Sequence, residues 1–192
     1  MAGYGRSGNA GFDRAHRHFI EALLALMREK PYETVSISEL AERACYDRRT
    51  FYRHFRSKDD VICSYCVVLF REMALAMNKR GPLTPQSGFL SYFEFWSKHR
   101  DFLLFLDKHD LLRLLGEKQD QLLYQNVGLL VHGDLPKRLD ENSEFSQFAY
   151  YFTLGGLWVV LIYWVRTGMH QTPETLTNHV LRSFREMEAF IC

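Results

Sequence analysis

The chain has 192 residues, 47% of them apolar and 24% charged, and a net charge of +1. That balance describes a globular protein with ample material for a core, and it excludes both a disordered chain and a general polyanion binder. Fifteen Phe and ten Tyr make for a bulky interior, and the length allows one domain or two small ones.

The first eleven residues, MAGYGRSGNAG, are glycine-rich and read as a mobile tail. From about Phe12 to Lys30, Ala15, Phe19, Leu23, Leu26 and Met27 recur at helical spacing, and Pro31 ends the pattern. Ser36 followed three residues later by Glu39 is a capping box, so a helix should begin at Ile37 and turn Ile37, Leu40, Ala41 and Ala44 inward. Asp47 offers a second N-cap, ahead of a helix with Thr50, Phe51 and Phe55 on its apolar side and Tyr52 alongside. Ser57, with Asp60 three residues on, caps a third.

Between Arg43 and Lys58 there are six basic residues, Arg43, Arg48, Arg49, Arg53, Arg56 and Lys58, against the single acid Asp47. Basicity so local in a nearly neutral chain suits one element set against a phosphate backbone. Two short helices joined by a tight turn, the second more basic, match a helix-turn-helix.

A helix from Lys58 to about Lys79 carries Val61, Ile62, Tyr65, Leu69, Phe70, Met73 and Met77, and Gly81, Pro82 and Pro85 mark its end. Helices are expected at Gln86–Lys98, Asp101–Leu115 and Glu117–Val131, with a loop from Gly133 to Asn142. No segment sustains an alternation of period two, so the predicted fold class is all-α. The segment from Phe145 to Val165 holds no charged residue and is long enough to span a bilayer. Ser146, Gln147 and Thr153, the spread of Tyr150, Tyr151 and Tyr163, and the lack of another candidate span speak against a membrane and for a helix buried on all sides. Gly168 ends it, Thr172 and Pro173 open the last helix, and Leu176, Val180, Ser183, Phe184, Met187 and Ile191 form that helix's seam.

Cys45, Cys63, Cys66 and Cys192 make no disulfide framework. Cys63 and Cys66 form a lone C-x-x-C inside a helix, without the second pair of ligands that a closed zinc site needs, so no metal and no cofactor are expected. There is no glycine-rich phosphate loop, no G-x-S-x-G and no H-E-x-x-H, which argues against an enzyme. With no basic-then-apolar leader, the chain is expected in the cytoplasm.

The run ACYDRRTFYRHFRSKDDVI, preceded by ISELAERA and by a helix ending in KPYETV, resembles the N-terminal domain of tetracycline-repressor-type (TetR) regulators over residues 12 to 65. The resemblance implies a tail (1–11), a helix-turn-helix domain (12–57), a linking helix (58–79) and a C-terminal effector-binding and dimerisation domain (80–192). It further implies a homodimer on a palindromic double-stranded operator, released by a small-molecule effector. Carried over, Tyr46, Arg48, Arg49 and Thr50 face the groove, Tyr52, His54 and Lys58 meet phosphate, and Ser36 caps a helix whose N-terminus can meet another. An arginine bidentate on guanine is the natural base reader, which favours Arg48 or Arg49.

The same resemblance makes Phe145–Val165 and the last helix the dimer interface, with Gly155, Gly156, Val159, Tyr163, Leu176, Val180, Phe184 and Met187 as contacts. Candidate effector contacts are Phe89, Tyr92, Phe93, Trp96, Phe102, Phe105, Tyr124, Tyr151 and Trp158. Three residues depart from the family pattern: Cys45 replaces a turn glycine, Tyr46 a small aliphatic residue and Asp47 a serine. They leave one alternative, a co-regulator of the same fold that works through protein contacts without reading DNA in the usual way.

Overall fold

The computed structural model describes residues 10–78, 84–119 and 144–191. Its elements are α1 (Ala10–Glu29), a 3-10 turn (Tyr32–Thr34), α2 (Ile37–Arg43), α3 (Arg48–His54), α4 (Lys58–Asn78), α5 (Pro85–Lys98), α6 (Arg100–Lys108), α7 (112–119), α8 (Glu144–Arg166) and α9 (Pro173–Ile191). The fold is all-α, with no strand among the described residues. Two compact units divide between Val68 and Leu69, inside α4, which is therefore continuous through both.

In the N-terminal unit α1, α2 and α3 pack on one another. All five residues of the expected α1 stripe, Ala15, Phe19, Leu23, Leu26 and Met27, are buried. Phe19 meets Phe51 edge-on at 5.4 Å and Phe55 at 5.8 Å, the offset geometry that aromatic quadrupoles favour. Ser36 Oγ accepts from the Glu39 amide at 3.2 Å, Asp47 Oδ1 from the Thr50 amide at 2.6 Å and Ser57 Oγ from the Asp60 amide at 3.2 Å, so α2, α3 and α4 each have a satisfied N-terminal donor. The far end of α2 closes as a Schellman motif. Tyr46 N donates to Ala41 O at 2.9 Å and Cys45 N to Glu42 O at 3.0 Å, with Cys45 at φ 60° in the left-handed region.

The C-terminal unit is centred on Phe93, Trp96, Leu103, Leu106, Leu115, Leu161 and Trp164, none more than 1% exposed. A single helix was expected over Asp101–Leu115, but the chain breaks after Lys108. Asp110 takes φ 54°, and Leu111 N donates to Leu106 O at 2.7 Å in a second Schellman closure. Gly116, where the pattern suggested a helix boundary, lies inside α7. A Cβ there would sit 2.8 Å from Trp158 Cζ2, so the glycine makes room for a ring from α8. The expected loop 133–142 and most of the expected helix 117–131 lie outside the described residues.

Candidate nucleic-acid interface

Phe51 and Phe55 anchor α3 against α1, which turns the opposite flank of the helix outward. Arg48, Arg49 and Arg53 are exposed there, Tyr52 is 51% exposed and Thr50 is half-buried. Among the described residues none of these arginines forms an ion pair. Two other cations of this unit are committed internally: Lys30 Nζ lies 2.6 Å from Glu39 Oε1, and Arg43 makes a two-pronged pair with Glu29 at 2.7 Å. Arg53, to which the family resemblance gives no role, stands one turn after Arg49 on the same exposed flank.

Each departure from the family pattern has local work. Cys45 supplies the left-handed residue of the turn. Tyr46 is half-buried, its ring 5.4 Å from that of Phe19 and 5.9 Å from that of His18, so it packs on α1 as well as facing outward. Asp47 is the cap of α3. The Thr50 amide, then the Thr50 hydroxyl, and more weakly Arg49 and Arg53, hold its carboxyl below the usual range, and it stays ionised at the head of the helix.

Two of the expected phosphate contacts point elsewhere. His54 turns inward, its ring 6.0 Å from His16, 6.2 Å from Phe19 and 6.2 Å from Phe55, with both nitrogens shielded from solvent. Its place at the end of α3, one turn after Phe51, puts it on the core flank. Burial, and to a lesser degree Arg53, lowers its pKa. Lys58 is occupied too. Its ammonium donates to Val35 O at 2.6 Å and Tyr32 O at 2.7 Å and lies 4.5 Å from the centre of the Tyr32 ring. The Tyr32 carbonyl also accepts from the Val35 amide at 3.2 Å, and an ammonium with three protons can bond both carbonyls at once. Burial lowers the Lys58 pKa, against the opposing pull of Glu33 and Asp59. Ser36 remains exposed at its cap.

In the C-terminal unit, α8 is apolar all round but only one side is buried. Leu157, Leu161, Trp164 and Val165 face the core, while Phe148, Phe152, Val159 and Tyr163 are each more than 60% exposed. Gly155 and Gly156 lie on the same outer face with nothing near their Cβ positions. Phe184 is 40% exposed and stacks on Phe89 at 6.0 Å, and Val180 is half-buried. Leu176, expected among the dimer contacts, is buried within its own unit, where α9 packs along α5. The side chain of Met187 lies outside the described residues.

The expected effector contacts do not form one lining. Tyr92, Phe93, Trp96 and Phe102 are core residues, with Tyr92 edge-on to Trp96 at 6.4 Å and Phe93 edge-on to Trp164 at 6.0 Å. Phe105 stacks on His109 at 4.3 Å, Trp158 fills the space over Gly116, Tyr151 is exposed, and Tyr124 lies outside the described residues. An open cleft of about 790 Å3 is lined by Phe89, Thr153, Asn178, Leu181 and Phe184 with the start of α5, and of the nine expected residues only Phe89 borders it. Sequence periodicity picked out large aromatics, which is also what a core requires.

Among the described residues, no helix is long and apolar enough to cross a membrane, and no three His, Cys, Asp or Glu gather as a metal site.

Comparison with known proteins agrees with this geometry. A family model described as "Bacterial regulatory proteins, tetR family" matches residues 19–63, and one described as "Transcriptional regulator C-terminal region" matches residues 84–186. A solved structure of the fatty acid degradation regulator FadR from Bacillus halodurans is similar in fold, with a TM-score of 0.58 at 17% identity over 92% of this chain and 94% of that one. No curated protein matches the sequence.

Proposed function

The chain belongs to the TetR family of bacterial regulatory proteins, and from that premise we propose that it is a cytoplasmic repressor that binds a palindromic operator as a homodimer and is released by a small molecule. The family's members are DNA-binding transcriptional regulators and not enzymes.

The observation that carries DNA reading is the outer flank of α3. Arg48, Arg49 and Arg53 are exposed without ion pairs among the described residues, while Lys30 and Arg43 of the same unit are neutralised. A guanidinium left free can bond guanine O6 and N7 together, worth roughly 1 to 3 kcal/mol against the wrong base. Dimerisation is supported by the outer face of α8, since a row of Phe148, Phe152, Val159 and Tyr163 in water is a large apolar patch for a monomer. Two-fold symmetry would set two α3 helices on half-sites about 34 to 36 Å apart.

Release by a ligand finds support inside the C-terminal unit. Trp164 Nε1 and Gln119 Oε1 are buried without a hydrogen-bond partner among the described residues. Such groups cost stability for as long as they stay unpaired. A ligand that satisfied them in only one conformer would shift the population toward it.

Selecting bound sequences from a random DNA pool tests the reading. A palindromic winner with half-sites one turn apart is expected; a pool that never enriches would sink it and leave the co-regulator.

A further inference from the structure

Some cations of the N-terminal unit are tied down and others are not. Lys30, Arg43 and Lys58 are held by Glu39, by Glu29 and by backbone carbonyls. The unpaired set on α3, Arg48, Arg49 and Arg53, has counterparts on α1: Arg14 and Arg17 are exposed and form no ion pair or side-chain hydrogen bond among the described residues. These two stand three residues apart, so they share one stripe of the helix. His18, one turn after Arg14, carries its ring to within 5.9 Å of Tyr46, which borders the head of α3. The stripe therefore starts beside the recognition helix and runs about 6 Å further along α1, at 1.5 Å per residue.

We infer that Arg14 and Arg17 grip the DNA phosphate backbone flanking the base pairs read by α3, the positioning role that Lys58 is unable to fill because its ammonium is occupied. The inference rests on the DNA-reading function proposed above. A helix-turn-helix needs contacts that fix its register on the duplex as well as contacts that read bases. Paired cations are poor candidates, since a phosphate would have to displace a carboxylate already within 3 Å. Arg14 and Arg17 have no such competitor. Glu21, exposed and one turn after Arg17, is the acid that this stripe presents, and its removal or reversal should help binding if the stripe faces DNA.

The experiment measures the affinity of the full chain for its selected operator and for unrelated duplex across a salt series. The variants are Arg14→Ala with Arg17→Ala, Glu21→Lys and Arg49→Ala. All four positions are exposed, so folding should survive, and circular dichroism checks this. The double variant is expected to lose roughly tenfold in affinity per half-site on every sequence, with the slope of log K against log salt shallower by about 1.8 per half-site. Glu21→Lys should bind all DNA more tightly with a steeper slope, and Arg49→Ala should lose preference for the operator with the α1 contribution intact. Unchanged affinity and slope in both α1 variants, beside a loss of preference in Arg49→Ala, overturns the α1 contact and leaves DNA reading standing. A parent chain that binds no duplex at all overturns both.

Discussion

The backbone carbonyl of Val35 accepts a 2.6 Å hydrogen bond from the ammonium of Lys58, the first residue of α4. A residue that by resemblance would lie on DNA is tied into the frame. Replacing Lys58 with Met should lower the unfolding free energy by about 1 to 2 kcal/mol, since charged hydrogen bonds are lost from partly solvated carbonyls. The salt slope of DNA binding should stay that of the parent. Urea unfolding and a salt titration read the two effects separately, and a shallower slope without loss of stability would return Lys58 to the phosphate.

Cys45 holds a left-handed backbone at φ 60° where a side chain is disfavoured by about 1 kcal/mol or more. Cys45→Gly should therefore raise the thermal midpoint by a few degrees, and Cys45→Val should lower it, β-branching being worst tolerated there. Equal midpoints for the two variants would contradict the turn geometry.

These two positions show what local sequence can and cannot reveal. The caps at Ser36, Asp47, Ser57 and Thr172 were readable because donor and acceptor lie within three residues of each other. The buried stripe of α1 was readable because its period is the helix's own. The internal neighbours of Lys58 and His54 were hidden because they come from distant segments: Tyr32 and Val35 for one, His16 and Phe19 for the other. The break at Asp110 was hidden because its left-handed residue is not a glycine, and Gly116 misled because its purpose is the bulk of Trp158. The effector residues could not be separated from the core, since Phe93 and Trp96 satisfy both descriptions.

Gly116→Ala places a methyl group within 2.8 Å of Trp158 and should destabilise the protein by about 1 to 3 kcal/mol, the usual cost of overpacking. Adding Trp158→Leu should recover part of that loss. Additive effects in the double variant, measured by chemical unfolding, would show that the two residues do not meet.

Val159 stands exposed in the middle of the outer face of α8. Val159→Glu should leave helicity unchanged while converting a dimer to a monomer in light scattering at micromolar concentration. A parent chain that is already monomeric would remove the role proposed for that face.

Burial holds the His54 imidazole below the ordinary value of 6.5. In the unfolded chain the ring titrates near that value, so as pH falls the unfolded state takes up the proton first. The His54 contribution to stability is thus complete above about pH 6.5 and declines as pH drops through 6.5 toward the lowered folded value. Unfolding midpoints at pH 7.5 and 5.5 should differ less in His54→Phe than in the parent, with His99, lowered by its own burial, supplying part of the remainder. An undiminished difference in the variant would place the titration elsewhere.

The first turn of α4 grips the segment ahead of α2 at two consecutive residues. Lys58 holds the carbonyls of Tyr32 and Val35, and Asp59 accepts the Tyr32 hydroxyl at 2.6 Å. In mechanical terms the 3-10 turn is bolted to α4. Three hydrogen bonds from two adjacent residues make the entry to the helix-turn-helix and the start of α4 one piece.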